Sequence, residues 1–309
     1  MGPRGTAMKH GLLSATVALL FAASTAQAQV VVSSKIDTEG GVIGSLILAV
    51  LDNAGIQTEN RLQLGATPVV RQAIIAGEID IYPEYTGNAA YFFNRADEPI
   101  WKDPDAAYQT AKELDQQANR IVWLTPAPAN NTWGIALRED LAKAQGITTF
   151  SQFAEWVRNG GDVKLAASSE FVNSAPALPA FQAAYGFTMK PEQLVVLSGG
   201  DTAATIQAAA NGTSGVNAAM VYGTDGAIPF ANLRVLQDDR AAQPVYQPTA
   251  IIRQDVLQEN PQIADLLKPV FQALTLEELQ KMNGRVQVEG IPAADVAQEF
   301  LTSHQLLAK

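Results

Sequence analysis

Residues 64–93, LGATPVVRQAIIAGEIDIYPEYTGNAAYFF, carry the reading of the fold. A helical stretch over 69–76 is followed by EIDIYPEYTG, which places Ile79 and Ile81 in a short buried strand. Pro83 lacks an N–H and is expected to end ladder pairing, so that Glu84 and Tyr85 are presented where the strand stops. In open α/β sheets ligands sit at such carboxyl ends. The stretch therefore reads as a strand running into the floor of a binding pocket, with an aromatic cluster on its loop.

The same alternation extends in both directions. Apolar β-rich runs at 30–33, 61–64, 79–82 and 121–124 are separated by helical patterns at 42–53, 69–76 and 106–119, which argues for βαβ units and a mainly parallel sheet. After the proline-rich turn 125–129 a second alternation begins. Its strands are expected at 133–137, 163–167, 193–197 and 218–222, and its helices at 150–157, 176–185 and 202–210. A strand at 233–236 is read as bringing the chain back, and helices at 261–271, 276–286 and 293–301 complete the sequence. Roughly 280 residues beyond the leader, nearly half apolar, exceed what one core comfortably holds. The expected architecture is α/β and two-lobed, each lobe a mainly parallel sheet flanked by helices, with a ligand cleft between them. One lobe comprises 29–131 plus 238–309 and the other 132–237, and a pair of lobes joined by two connections can hinge.

Residues 1–28 read as a leader: Arg4 and Lys9 precede an apolar run over 12–23 and the A-x-A site Ala26-Gln27-Ala28, so cleavage is expected after Ala28. The apolar run is well short of the ~20 residues that span a bilayer. Lysine and arginine number 21 against 31 acids; loss of Arg4 and Lys9 leaves a net charge of −12, which makes nucleic acid an improbable partner. Cysteine is absent, removing disulfides, thiol chemistry and a lipid attachment point, so a free periplasmic protein, monomeric by default, is expected. Of two histidines, His10 lies in the leader and His304 near the end, a poor inventory for a Ser-His-Asp or zinc enzyme. No P-loop, dinucleotide fingerprint or metal-ligand spacing is present, and no cofactor, metal or catalytic residue is assigned.

The segment IDIYPEYTG, together with SSKIDTEG at 33–40, ANNTWGIAL at 129–137 and VYGTDG at 221–226, resembles the osmoprotectant-binding components of ABC transporters, the glycine betaine and choline receptors, most closely their YehZ/OsmF-like branch. The resemblance covers nearly all of the chain beyond the leader. It implies a periplasmic binding protein of type II that passes a small quaternary amine to a membrane permease driven by an ATPase, without turnover. A quaternary ammonium cannot donate a hydrogen bond and is held by aromatic faces. Tyr85 matches the tyrosine of the family's PEYTG segment, Trp133 a cage tyrosine in an NNTYALA-like run, and Tyr222 lies in the counterpart of AYSTDG. The family's SKxFTEQ-like opening places Lys35 against the ligand, where the amino end of the following helix offers further N–H groups. Asn88 stands where relatives carry a threonine and still offers an amide donor.

Two positions depart from the family pattern. In SSEFVNSAPALPAFQAAYGF, Ser174 occupies the place of an arginine that clamps the ligand's carboxylate, a bidentate grip that serine cannot reproduce. Ile206, in TAATIQAAANG, falls near the place of a further cage tyrosine. Low affinity for glycine betaine is expected, with a shifted preference toward choline, carnitine or an amino-acid derivative as the alternative. An enzyme would need a carboxylate pair from Glu84, Asp201 and Asp225. These read instead as a loop holder, a helix cap and a turn former.

Overall fold

The computed structural model describes residues 1–2, 29–174, 176–197 and 202–307. The leader's apolar run and its cleavage point at Ala28, His10, and the expected cap Asp201 lie outside the described residues.

Ten strands form two five-stranded sheets. In the first, β1 (Val30–Lys35), β2 (Thr58–Gly65), β3 (Ile81–Tyr85) and β4 (Ile121–Pro126) are joined by β10 (Pro248–Arg253) in the order β2-β1-β3-β10-β4. In the second, β5 (Trp133–Arg138), β6 (Leu165–Ser168), β7 (Leu194–Leu197), β8 (Ala218–Tyr222) and β9 (Leu233–Val235) run in the order β7-β6-β8-β5-β9. Three adjacent strands of each sheet are parallel, and each sheet contains one strand antiparallel to both its neighbours, β10 in the first and β5 in the second. Helices cover both faces. This is the two-lobed type II architecture.

Apolar side chains fill both faces of each sheet. Ile252 of β10 joins Ile43, Leu46, Phe271 and Phe300 on one side, while its neighbour Ile251 joins Val70, Ile74, Trp101 and Trp123 on the other. The second sheet carries Phe150, Phe153 and Phe181 on one face and Ile206, Ala209 and Val221 on the other. Helix starts follow from local chemistry: Asp37 accepts the Gly40 N–H at 2.6 Å before helix Thr38–Asn53, and Thr149 with Gln152 forms a reciprocal cap on helix Phe150–Arg158.

Two local expectations are corrected, and one strand is added to those expected. Pairing does not stop at Pro83: β3 runs through it, with Pro83 opposite Ala250 and Tyr85 opposite Pro248. Hydrogen bonds from Arg253 N–H to the Asp80 carbonyl and from Thr86 N–H to the Gln247 carbonyl show that the even residues of β3 exchange bonds with β10. Pro83 falls at an odd position, pointing its missing donor at the side where β1 has left the ladder after the Val32–Ile81 pair. Next, β10 was not anticipated: PTAIIR is buried on both faces and shows no alternation to read. Finally, the strand at 233–235 does not return to the first sheet but forms the edge of the second, beside β5.

The chain crosses between sheets twice, near 127–132 and 236–247, and the two crossings lie side by side. Asn131 N–H donates to the Tyr246 carbonyl at 2.9 Å, Tyr246 N–H to Asn130 Oδ1 at 2.8 Å, and Ala127 N–H to the Pro248 carbonyl at 2.8 Å. A third touching point joins helix Leu276–Gln287, which packs into the first core through Leu279 and Met282, to the loop after β8. Gln280 donates to the Gly223 carbonyl at 2.8 Å, and Asn283 to that of Thr224 at 2.9 Å.

Candidate ligand-binding site

A cleft of about 1110 Å³ lies between the lobes. It gathers all six residues singled out from the sequence: Lys35, Tyr85 and Asn88 from the first lobe and Trp133, Ser174 and Tyr222 from the second. Strand ends account for four of them. Lys35 and Tyr85 close β1 and β3, while Trp133 and Tyr222 are direct partners across the β5–β8 ladder and so share one face. Their rings stack with centroids 6.1 Å apart, and Phe171 meets Trp133 edge-on at 6.1 Å. Burial pushes the Tyr222 hydroxyl up to about 12, so it stays a neutral hydrogen-bonding group.

The first-lobe wall is organised around Glu84, which is fully buried. Its carboxylate accepts from Lys35 Nζ at 2.5 Å, Asn88 Nδ2 at 2.7 Å, the Tyr82 hydroxyl at 2.8 Å and the Tyr85 N–H at 2.8 Å. Lys35 is not a surface lysine: it is 6% exposed, and its ammonium also lies 4.5 Å from the Tyr85 ring centroid. Both the lysine and the amide assigned to a ligand carboxylate therefore already have a partner. The expected role of Glu84 in holding the loop matches its bond to the Tyr85 N–H, but its reach extends across the whole wall. One N–H of the helix amino end beyond Lys35 is likewise engaged, since Asp37 accepts from Gly40.

Ser174 ends the short helix Ser169–Asn173, with its N–H on the Glu170 carbonyl, and brings no charge to the cleft. Ile206 lies in the core of the second lobe, 1% exposed, and does not line the cleft. Asp225 does line it, and accepts the Tyr222 N–H at 2.8 Å. His304 caps helix Ala293–Ser303 against Phe300, away from the cleft.

Several lining residues were not singled out from the sequence. Tyr91 and Tyr246 add aromatic surface and are hydrogen-bonded to each other; the Tyr246 ring packs on Gly87, where an added Cβ would sit 2.8 Å from it. Gly87 is thus required by close approach rather than by backbone conformation. Tyr91 follows PEYTG by a few residues and carries a readable signal, whereas Tyr246 lies on the second crossing, where no local pattern points inward. Glu39, in the first turn after β1, is 5% exposed. It accepts from the Tyr85 hydroxyl at 2.7 Å, Asn283 Nδ2 at 2.8 Å and Asn131 Nδ2 at 3.1 Å, and from the side chain of Thr224. Burial outweighs these bonds and pushes its carboxyl up to about 7.

Among the described residues no group of three or more His, Asp or Glu side chains is placed to hold a metal ion. The arrangement offers aromatic faces from both lobes, one committed cation and several acids. It can hold a small organic cation.

Comparison with known proteins agrees along nearly the whole chain. The family model described as the substrate binding domain of ABC-type glycine betaine transport system matches residues 28–303. The chain is 51% identical over 276 residues to the glycine betaine-binding protein YehZ of Escherichia coli, covering 89% of this chain and 90% of that protein. It is 30% identical over 295 residues to a glycine-betaine-binding protein of Pseudomonas aeruginosa, covering 93% and 92%. The solved structure of apo YehZ superposes with a TM-score of 0.81 at 50% identity, over 91% of this chain and 100% of that one.

Proposed function

Because the chain belongs to the family of substrate-binding domains of ABC-type glycine betaine transport systems, we propose that it captures a small quaternary-ammonium osmolyte of the glycine betaine type between its lobes, with low affinity. The observation that carries this reading is the cleft wall itself: Lys35, Tyr85 and Asn88 face it from one lobe, Trp133, Ser174 and Tyr222 from the other. In this reading the lobes comprise 29–131 with 238–309, and 132–237, and the paired crossings are the hinge. Ligand contacts from both sides exist together only in the shut form, so the ligand shifts the population toward it. A cavity of about 1110 Å³ is roomier than the roughly 300–1,000 Å³ usual for small-molecule sites, so closure is also needed to expel water from around a small cation.

Low affinity follows from the polar half of the cleft. Ser174 offers no charge and Lys35 is shared with Glu84, leaving a betaine carboxylate with neutral donors only. The aromatic half retains its faces, each worth roughly 0.5–2 kcal/mol to a desolvated cation. The chain works in the periplasm after removal of residues 1–28, as a monomer, and delivers its ligand intact to a permease and its ATPase.

The test is calorimetric titration of the protein from Gln29 onward with glycine betaine, choline, carnitine and proline betaine, followed by recovery of the solute. Saturable binding is expected, weakened about tenfold or more in Trp133→Ala and Tyr85→Ala, with the solute recovered unchanged. Silence across the panel overturns the reading, and chemical conversion of the solute replaces it with an enzyme.

A further inference from the structure

We propose that Glu39 sets the charge selectivity of the cleft: its carboxylate penalises a ligand that bears a carboxylate relative to one that shares the same cationic head and lacks it. The inference rests on the binding role proposed above. Glu39 is buried on the cleft wall where elements of both lobes converge: Tyr85 from β3, Asn131 from the first crossing, Asn283 from helix Leu276–Gln287 and Thr224 from the loop after β8.

The Asn131 and Asn283 amide N–H groups can only donate, and the Tyr85 and Thr224 hydroxyls can donate as well, so the surroundings are built to receive a carboxylate. The amides show the cost of that arrangement. Asn131 and Asn283 turn their N–H groups to Glu39, and the Oδ1 of each is buried without a hydrogen-bond partner among the described residues. All four partners are neutral side chains. A buried carboxylate with neutral partners lacks the counter-charge that normally accompanies such a group.

The rest of the wall does not supply that charge. Among the described residues lining the cleft, Lys35 is the only cation, and it is paired with Glu84, while Asp37, Glu170 and Asp225 add further acids. A ligand's trimethylammonium group completes the missing pair. A ligand's carboxylate in the same enclosure meets like charge, and Ser174 offers it no compensation.

The experiment compares choline with glycine betaine, which share a trimethylammonium head and differ by an alcohol against a carboxylate. Dissociation constants are measured by calorimetry at pH 8 for the wild-type chain, Glu39→Gln and Glu39→Asp. Glutamine keeps the volume, and the unpaired Asn283 Oδ1 can turn to accept its N–H, so the variant retains the fold. In Glu39→Gln the ratio of the betaine constant to the choline constant is expected to fall about tenfold or more, while Glu39→Asp, which keeps the charge, stays within about threefold of wild type. An unchanged ratio in folded Glu39→Gln overturns the assignment, as does an equal fall in Glu39→Asp. If the wild-type chain binds neither compound, the quaternary-ammonium reading itself fails, an outcome distinct from binding of both with no role for Glu39.

Discussion

At Glu39 burial and hydrogen bonding pull in opposite directions, and burial wins, raising its carboxyl from 4.5 to about 7. A value higher in the folded than in the unfolded chain means that proton uptake favours the native state. The stability this contributes is full below about 4.5 and is lost as pH rises through about 7, a span equivalent to roughly 3 kcal/mol. Urea unfolding of the ligand-free protein at pH 5 and pH 8 checks this: Glu39→Gln should be more stable than wild type by up to that amount at pH 8, with a smaller gap at pH 5. A gap independent of pH would mean that the Glu39 carboxyl titrates alike in the folded and unfolded chain. The residue stood in plain view in the sequence, in SSKIDTEG. Its significance was not legible there, because three of its four partners lie 92 to 244 positions away or on a distant loop. Lys35 shows the complementary case: its place on the cleft was readable from the strand that ends in it, but its pairing with Glu84, 49 positions on, was not.

Among the elements, the contact between helix Leu276–Gln287 and the loop after β8 has the least slack. A Cβ at Gly226 would lie 2.0 Å from the Gly284 nitrogen, and one at Gly284 would lie 2.8 Å from the Gly226 carbonyl oxygen. Backbone meets backbone here, so no side chain can swing aside. The helix packs in one lobe and the loop joins two strands of the other, so the two glycines set how closely the lobes approach beside Glu39, Thr224 and Asn283. Gly226→Ala should wedge this contact apart, at the roughly 1–3 kcal/mol typical of overpacking, or about ten- to a hundredfold in ligand affinity. Calorimetric titration would show it, and wild-type affinity in the variant would mean that the contact is not part of the bound form. The TDG turn was legible as a turn, but the glycine across from it was not, since nothing near Gly284 in the sequence marks a helix surface approached by a loop. The strand β10 was hidden for a different reason. A strand buried on both faces loses the period-two signal, and Pro83 in its partner argued against continued pairing until the alternation of hydrogen-bonded positions showed that a proline fits there.

At the scale of the whole molecule, two α/β bodies share two crossing segments bonded to each other, a geometry that allows rotation with little loss of core contact. Small-angle scattering should report a smaller radius of gyration with saturating ligand than without, and an unchanged radius in the presence of demonstrated binding would place the ligand in an already shut cleft. The sequence by itself determined the α/β class, the division into two alternating halves, the family and the six cleft residues. Those features rest on local apolar periods and on short motifs whose residues act from strand ends, and both are written in contiguous stretches. Only the tertiary structure decided how those residues are partnered: Lys35 neutralised by Glu84, Ile206 buried in a core, Tyr91 and Tyr246 brought to the wall, and Glu39 left as a buried carboxylate among neutral donors. The electrostatics of a site depend on distances of a few ångströms between residues far apart in the chain, and those distances are set by how the two sheets and their crossings pack.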